Sequence, residues 1–230
     1  MDGSEGGPGE EQGAAWIEPR WPVALAIFTF IVITVVLRLA VPRRESIGPH
    51  WVVPSVEVTL LVVLLAASPE DVRRHARWFR RLSIALILLL VVVALASTVN
   101  LIYELATGSK VAQSADSLLA SGTLVWTGNA LVFGLLYWEL DSGGPLARYR
   151  AERPHPDFAF TQYLNPELAP PGWRPRYVDY FVLGFTTSTA FSPTDVMPMA
   201  PWAKLTMATQ SLISLAVAGL VIARAVNVFT

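Results

Sequence analysis

Cysteine is absent from the 230-residue chain, and charge is scarce: Asp, Glu, Lys and Arg together make up 15% of it. Without cysteine there is neither a disulfide framework nor a thiolate metal site. Soluble domains carry about 25% charged residues, so this supply is too small to cover a water-facing surface. Neither sign prevails, with 17 basic against 18 acidic residues, and no basic excess points to nucleic acid. The three histidines, His50, His75 and His155, are scattered without a His-x-x-x-His pair or a carboxylate cluster, which leaves no metal centre to expect. Also missing are a Gly-rich phosphate loop, a Gly-x-Ser-x-Gly elbow and a His-Glu-x-x-His helix, so the sequence predicts no enzyme and no cofactor. What the chain has instead is 53% hydrophobic residues and a mean hydropathy of +0.47. An integral membrane protein, with the lipid bilayer as its solvent, is the class that remains.

A helix needs about 20 mostly apolar residues to cross roughly 30 Å of hydrocarbon. Residues 23–41, 51–68, 83–103, 118–138 and 203–228 meet or approach that length. Trp21, Trp51, Tyr103, Tyr137, Trp138 and Trp202 stand at their ends, where rings sit at headgroup level. Trp126 stands mid-span, and its ring is expected against another helix. The expected fold is an all-α, polytopic transmembrane helical bundle, of five spans plus a re-entrant half-helix or of six spans. The undecided segment is 180–191, apolar and Thr-rich but short for a full crossing. Four regions follow: a Gly- and Glu-rich tail, 1–20, expected to be disordered and cytoplasmic; a four-helix transmembrane region, 21–140; a connector, 141–176, with seven prolines; and a C-terminal unit, 177–230.

Lys and Arg set the orientation. Arg73, Arg74, Arg77, Arg80 and Arg81 lie in the connection before the third span, and Arg148, Arg150, Arg153, Arg174 and Arg176 in the Pro-rich connector. Four crossings put both on one side with Arg20, so the N-terminus is expected in the cytoplasm of a multi-pass inner (plasma) membrane protein.

Polar residues inside spans are costly and mark candidate sites. Glu57 is the sharpest, as an ion or proton ligand or as a partner for Arg38 or Arg43. Asn100 and Asn129 are expected to hydrogen-bond between helices. Glu104, Glu139 and Asp141 fall at helix ends, where solvated or capping roles are usual.

The densest polar cluster is Thr186-Thr187-Ser188-Thr189-Ala190-Phe191-Ser192-Pro193-Thr194-Asp195. It follows an apolar segment, 177–185, and leads through Pro198 and Pro201 into the last span, so the sequence predicts a short helix, a hydroxyl-rich hinge and a long helix. Non-helical backbone at membrane depth is tolerated only inside protein or along a water-filled cavity. Hydroxyls and carbonyls there can replace ion hydration.

At these residues the chain resembles the pore module of potassium channels: Phe185-Thr186-Thr187 matches the end of a pore helix, and Asp195-Val196-Met197-Pro198 keeps an Asp-x-x-Pro spacing. The filter departs from that pattern. Ala190, Phe191 and Ser192 stand where Gly, Tyr and Gly are expected, and Pro193 and Thr194 are inserted, so potassium selectivity does not carry over. The resemblance implies an oligomeric channel, a homotetramer, passing monovalent cations, with Thr186, Thr187, Ser188, Thr189, Ala190, Phe191, Ser192 and Asp195 along the path. Through Tyr137-Trp138-Glu139-Leu140-Asp141, the stretch 185–198 and Arg224-Ala225-Val226-Asn227, the chain also resembles uncharacterised bacterial integral-membrane proteins of a domain-of-unknown-function family. That second likeness implies no activity. The alternatives are a non-conducting helical protein in which the hinge is a kink, and a proton-linked transporter built on Glu57.

Overall fold

The computed structural model describes residues 19–40, 52–66, 76–107, 115–190 and 195–229. Among the described residues five helices come first: α1 (Trp21–Ala40), α2 (Val52–Ala66), α3 (Ala76–Thr107), α4 (Ala115–Leu140) and, after a 3₁₀ turn (Asp141–Gly143), the short α5 (Pro145–Tyr149). Strand β1 (Phe158–Phe160), helix α6 (Thr161–Leu164) and a second 3₁₀ turn (Pro166–Leu168) follow. Helix α7 (Tyr177–Ala190), strand β2 (Val196–Pro198) and helix α8 (Pro201–Phe229) complete it.

Among the described residues four helices, α1, α3, α4 and α8, are long and apolar enough to cross a membrane, and they mark the protein as membrane-embedded. In lipid every backbone polar group needs an internal partner, and a continuous helix supplies one. Helix α3 begins seven residues before the apolar stretch 83–103, because Arg77, Arg80 and Arg81 continue the helical turn with their side chains exposed. Helix α2, of 15 residues, is about 22 Å long, and α7, of 14 residues, about 21 Å; both fall short of 30 Å.

Helix α4 is the centre of the bundle. Its apolar window is 67% buried, against 28% for that of α8, and α1, α3, α7 and α8 all pack on it. Contacts fix the directions. Ser83 and Thr98 of α3 meet Glu139 and Asn129 of α4, so the two helices are antiparallel. Gln210 of α8 meets Tyr137, and Val221 lies against Gly122, so α8 is antiparallel to α4 as well. Helix α7 also runs antiparallel to α4, with Tyr177 beside Trp138 and Ser188 beside Trp126.

Small residues bring α4 and α7 together. A Cβ placed on Gly184 would stand 2.8 Å from the Ala130 carbonyl oxygen and 3.0 Å from the Gly134 nitrogen. A Cβ on Gly134 would stand 3.1 Å from the Phe181 Cα. This is the small-residue contact by which membrane helices gain van der Waals attraction without help from water.

The connector returns to the end of the bundle where α4 stops. Strand β1 pairs antiparallel with β2 in the register Phe158↔Pro198, Ala159↔Met197, Phe160↔Val196, an addition to the helices read from the sequence. Beneath this pair lies an aromatic cluster: the Phe158 ring meets Tyr137 at 5.2 Å and Trp202 at 5.5 Å, edge to face. Helix α7 therefore starts at the connector end and reaches inward to Ser188, and by Asp195 the chain is back beside β1, where the Asp195 carbonyl accepts from the Thr161 hydroxyl at 2.8 Å.

Candidate functional site

The α4–α7–α8 unit carries two polar assemblies, one at its connector end and one deep between the helices. The first is built on Asp141, which directly follows α4 and is fully buried. Its Oδ1 accepts from the Ser142 hydroxyl at 3.0 Å, the Asp157 amide at 2.9 Å and the Phe158 amide at 3.3 Å. Its Oδ2 accepts a hydrogen bond from the Tyr180 hydroxyl. One carboxylate thus joins α4, the connector and α7. The turn permits this because Ser142, Gly143 and Gly144 all take positive φ, at 53°, 86° and 100°, a geometry for which glycine is the natural residue.

Arg148 completes the assembly. Its Nη1 donates to the carbonyls of Trp138 at 2.6 Å and Asp141 at 2.9 Å, neutralising the C-terminal end of α4. Its guanidinium lies 4.9 Å over the Tyr180 ring, a cation–π contact. Arg174 donates in turn to the carbonyls of Arg148 and Tyr149. Glu139 is also buried and accepts from the Ser83 hydroxyl at 2.7 Å, tying α3 to the same end. Glu139 and Asp141 are therefore interior groups and not the solvated or simple capping residues that their place at a helix end suggests, because the connector folds over them.

The second assembly centres on Gln210 of α8, which is fully buried. Its Nε2 donates to the Gly184 carbonyl at 2.7 Å and the Ser188 hydroxyl at 2.8 Å, and its Oε1 accepts from Tyr137 at 2.6 Å. Three helices are joined through one amide. Trp126 does face another helix: its indole N–H donates to the Ser188 carbonyl at 3.4 Å, with its ring 5.4 Å from Phe185. Gln210 escapes the sequence reading because one amide in the last span is no signal until Gly184 and Ser188 are known to face it. A hydrogen bond between membrane helices contributes about 1 kcal/mol. Gln210→Leu, which strands three partners, is expected to lower stability by about 2 kcal/mol, and Tyr137→Phe by about half that. Thermal unfolding in detergent, followed by tryptophan fluorescence, checks both.

The hydroxyl-rich segment separates into parts. Residues 186–190 continue α7, where the sequence places the helix end at 185. Thr186 and Thr189 extend the helix by turning their hydroxyls onto the carbonyls of Val182 and Phe185, each at 2.9 Å. Ser188 faces Gln210, and Thr187 is fully buried with no hydrogen-bond partner for its Oγ1 among the described residues. The Ser214 hydroxyl, one turn beyond Gln210, is in the same condition. Phe191, Ser192, Pro193 and Thr194 lie outside the described residues, as does the side chain of Ala190. Asp195 is exposed at the connector end.

The intramembrane candidates divide likewise. Asn129 is buried and donates to the Thr98 hydroxyl at 2.9 Å, the expected bond between helices. Asn100 is exposed on α3. Glu57 is fully buried on α2, under the influence of the Arg38 charge, and neither carboxylate oxygen has a hydrogen-bond partner among the described residues. Among the described residues no group of three His, Asp or Glu could hold a metal ion. No family model, curated protein or solved structure matches this chain, so its functional reading rests on the geometry of the α4–α7–α8 unit.

Proposed function

We propose that the protein is a channel-like membrane protein in which α4, α7 and α8 of each copy contribute to a cation path in a homo-oligomer, a tetramer by analogy with the potassium-channel pore module. The observation that carries this reading is the course of α7: a helix of about 21 Å that starts at the connector end, with the chain back at that end by Asp195. In lipid such a hairpin is tolerated where it lines a protein interior or a water-filled path. On this reading the apolar stretch 51–68, of which α2 is the described part, joins α1, α3, α4 and α8 as the fifth span, α7 is a re-entrant half-helix, and the N-terminus and connector face the cytoplasm under the rule that favours basic residues there.

The inner end of α7 then brings helix carbonyls, partial negative charge, to the middle of the membrane. Thr187 offers a hydroxyl that has no hydrogen-bond partner among the described residues, and Asp195 places negative charge where the hairpin opens. Flux of potassium and sodium into liposomes carrying the purified protein tests this reading. Asp195→Asn and Thr187→Ala are each expected to lower cation flux several-fold without changing oligomeric state. Flux unaffected by both substitutions, or a strictly monomeric protein, overturns it. A second reading has its own support: the buried Glu57 carboxylate suits a proton-linked transporter, in which Glu57→Gln abolishes pH-driven uptake while the hairpin variants leave it intact.

A further inference from the structure

The connector end also carries a group of arginines that donate no hydrogen bond to Asp141 or Gln210. Arg77, Arg80 and Arg81 are exposed on the first turns of α3. That helix has 32 residues, about 48 Å, and so overruns a 30 Å hydrocarbon core. The overrun is the arginine-bearing turn, directly before the apolar run that begins at Leu82. Trp78, 55% exposed between these arginines, is the kind of residue that anchors at headgroup level.

From the other side the connector supplies Arg153. Arg80 and Arg153 each approach the Gly143-Gly144 turn. The Arg153 Nε lies 3.3 Å from the Cβ position of Gly143, and the Arg80 Nε 3.6 Å from that of Gly144. A side chain at either glycine would fill the space between the guanidinium groups and the turn. Two carboxylates border the place. Glu139 Oε1 lies 3.7 Å from the same Gly144 position, and Asp157 forms a long 3.7 Å ion pair with Arg153. Four arginines against two carboxylates leave the patch at net +2. Beneath it, the Arg148 Nη2 is buried with no hydrogen-bond partner among the described residues.

We propose that Arg80 and Arg153, with Arg77 and Arg81 on the same side, hold the phosphate of an anionic phospholipid headgroup against the Gly143-Gly144 turn. Guanidinium groups match phosphate in pairs of hydrogen bonds, and each basic residue near an anionic leaflet adds to the attraction. The position of the patch selects a lipid as the source, because it sits where the apolar part of α3 begins. The proposal is independent of ion conduction.

The test is thermal unfolding of the full chain in nanodiscs of phosphatidylcholine alone or mixed with phosphatidylglycerol. Phosphatidylglycerol is expected to raise the parent's midpoint by several degrees. The double variant Arg80→Gln/Arg153→Gln is expected to lose that rise, its midpoint being the same in both lipid mixtures. Arg150→Gln, which removes an exposed arginine paired with Glu152, is expected to keep the rise. No rise in the parent, an undiminished rise in the double variant, or its equal loss in Arg150→Gln overturns the proposal. An equal rise from inorganic phosphate in lipid-free detergent overturns the assignment to lipid. Should the double variant fail to fold, native mass spectrometry of the parent decides: preferential retention of phosphatidylglycerol over phosphatidylcholine supports the site, and equal retention overturns it.

Discussion

Asp141→Ala is expected to destabilise the protein by about 3–5 kcal/mol, the range for removing one member of a buried charged network. The reason is the number of donors left behind. The Ser142 hydroxyl, the amides of Asp157 and Phe158, and the Tyr180 hydroxyl all end on this carboxylate. Each buried donor without an acceptor costs about 1–3 kcal/mol, less whatever relaxation recovers. Arg148, packed on the Tyr180 ring, loses a balancing charge as well. Asp141→Asn retains one acceptor oxygen and is expected to cost about half as much. Tyr180→Phe removes a single donor and keeps its packing, for about 1–2 kcal/mol. Unfolding by heat or by a denaturing detergent, read by the fluorescence of Trp138 and Trp202 near the site, checks this order. A cost for Tyr180→Phe equal to that of Asp141→Ala would show that the connector amides contribute nothing.

The long spans are legible in the sequence because lipid imposes one rule on every residue of a helix, whatever its neighbours. Residues 118–138 and 203–228 come within a few residues of α4 and α8 for that reason. The site is legible only in part, because a polar side chain takes its meaning from partners far along the chain. Tyr137 meets Gln210 across 73 positions, and Asp141 meets Tyr180 across 39. No local pattern joins them. Asp141, read as a helix-end residue, is interior because the Pro-rich connector folds back as β1 against β2, a pairing of three-residue strands too short to leave an alternating pattern. The Thr-rich stretch illustrates a different limit. A threonine in a membrane segment can line a break or bond the carbonyl four residues back, and composition is the same in both cases. In α7, Thr186 and Thr189 take the second course, and the helix runs on to Ala190. Asn129 and Trp126 were readable because each had a neighbouring helix as its natural partner.

Gly184→Val is expected to be the second severe substitution, and its severity follows from what the new side chain meets. Its Cβ would stand 2.8 Å from the Ala130 oxygen and 3.0 Å from the Gly134 nitrogen. Both are backbone atoms of α4, which cannot swing aside as a side chain can, so the helices must separate along the whole crossing. That separation draws Gly184 and Ser188 away from Gln210 and loosens Tyr180 on Asp141, so a steric fault is amplified into lost hydrogen bonds. Overpacking costs about 1–3 kcal/mol where a core yields, and the coupled losses place Gly184→Val at about 4 kcal/mol or more. Gly184→Ala meets the same contacts with its Cβ alone and is expected to cost about 2 kcal/mol. Gly219→Ala supplies the contrast: nothing lies within 4 Å of its Cβ position. There the change only restricts the unfolded chain and favours the helix, so stability is expected to hold or rise by up to about 1 kcal/mol. Opposite signs for two Gly→Ala changes in helices of one bundle would localise the effect to the α4–α7 crossing. Equal small effects would show that the crossing is wider than 2.8 Å implies, and would remove the support on which the position of α7 depends.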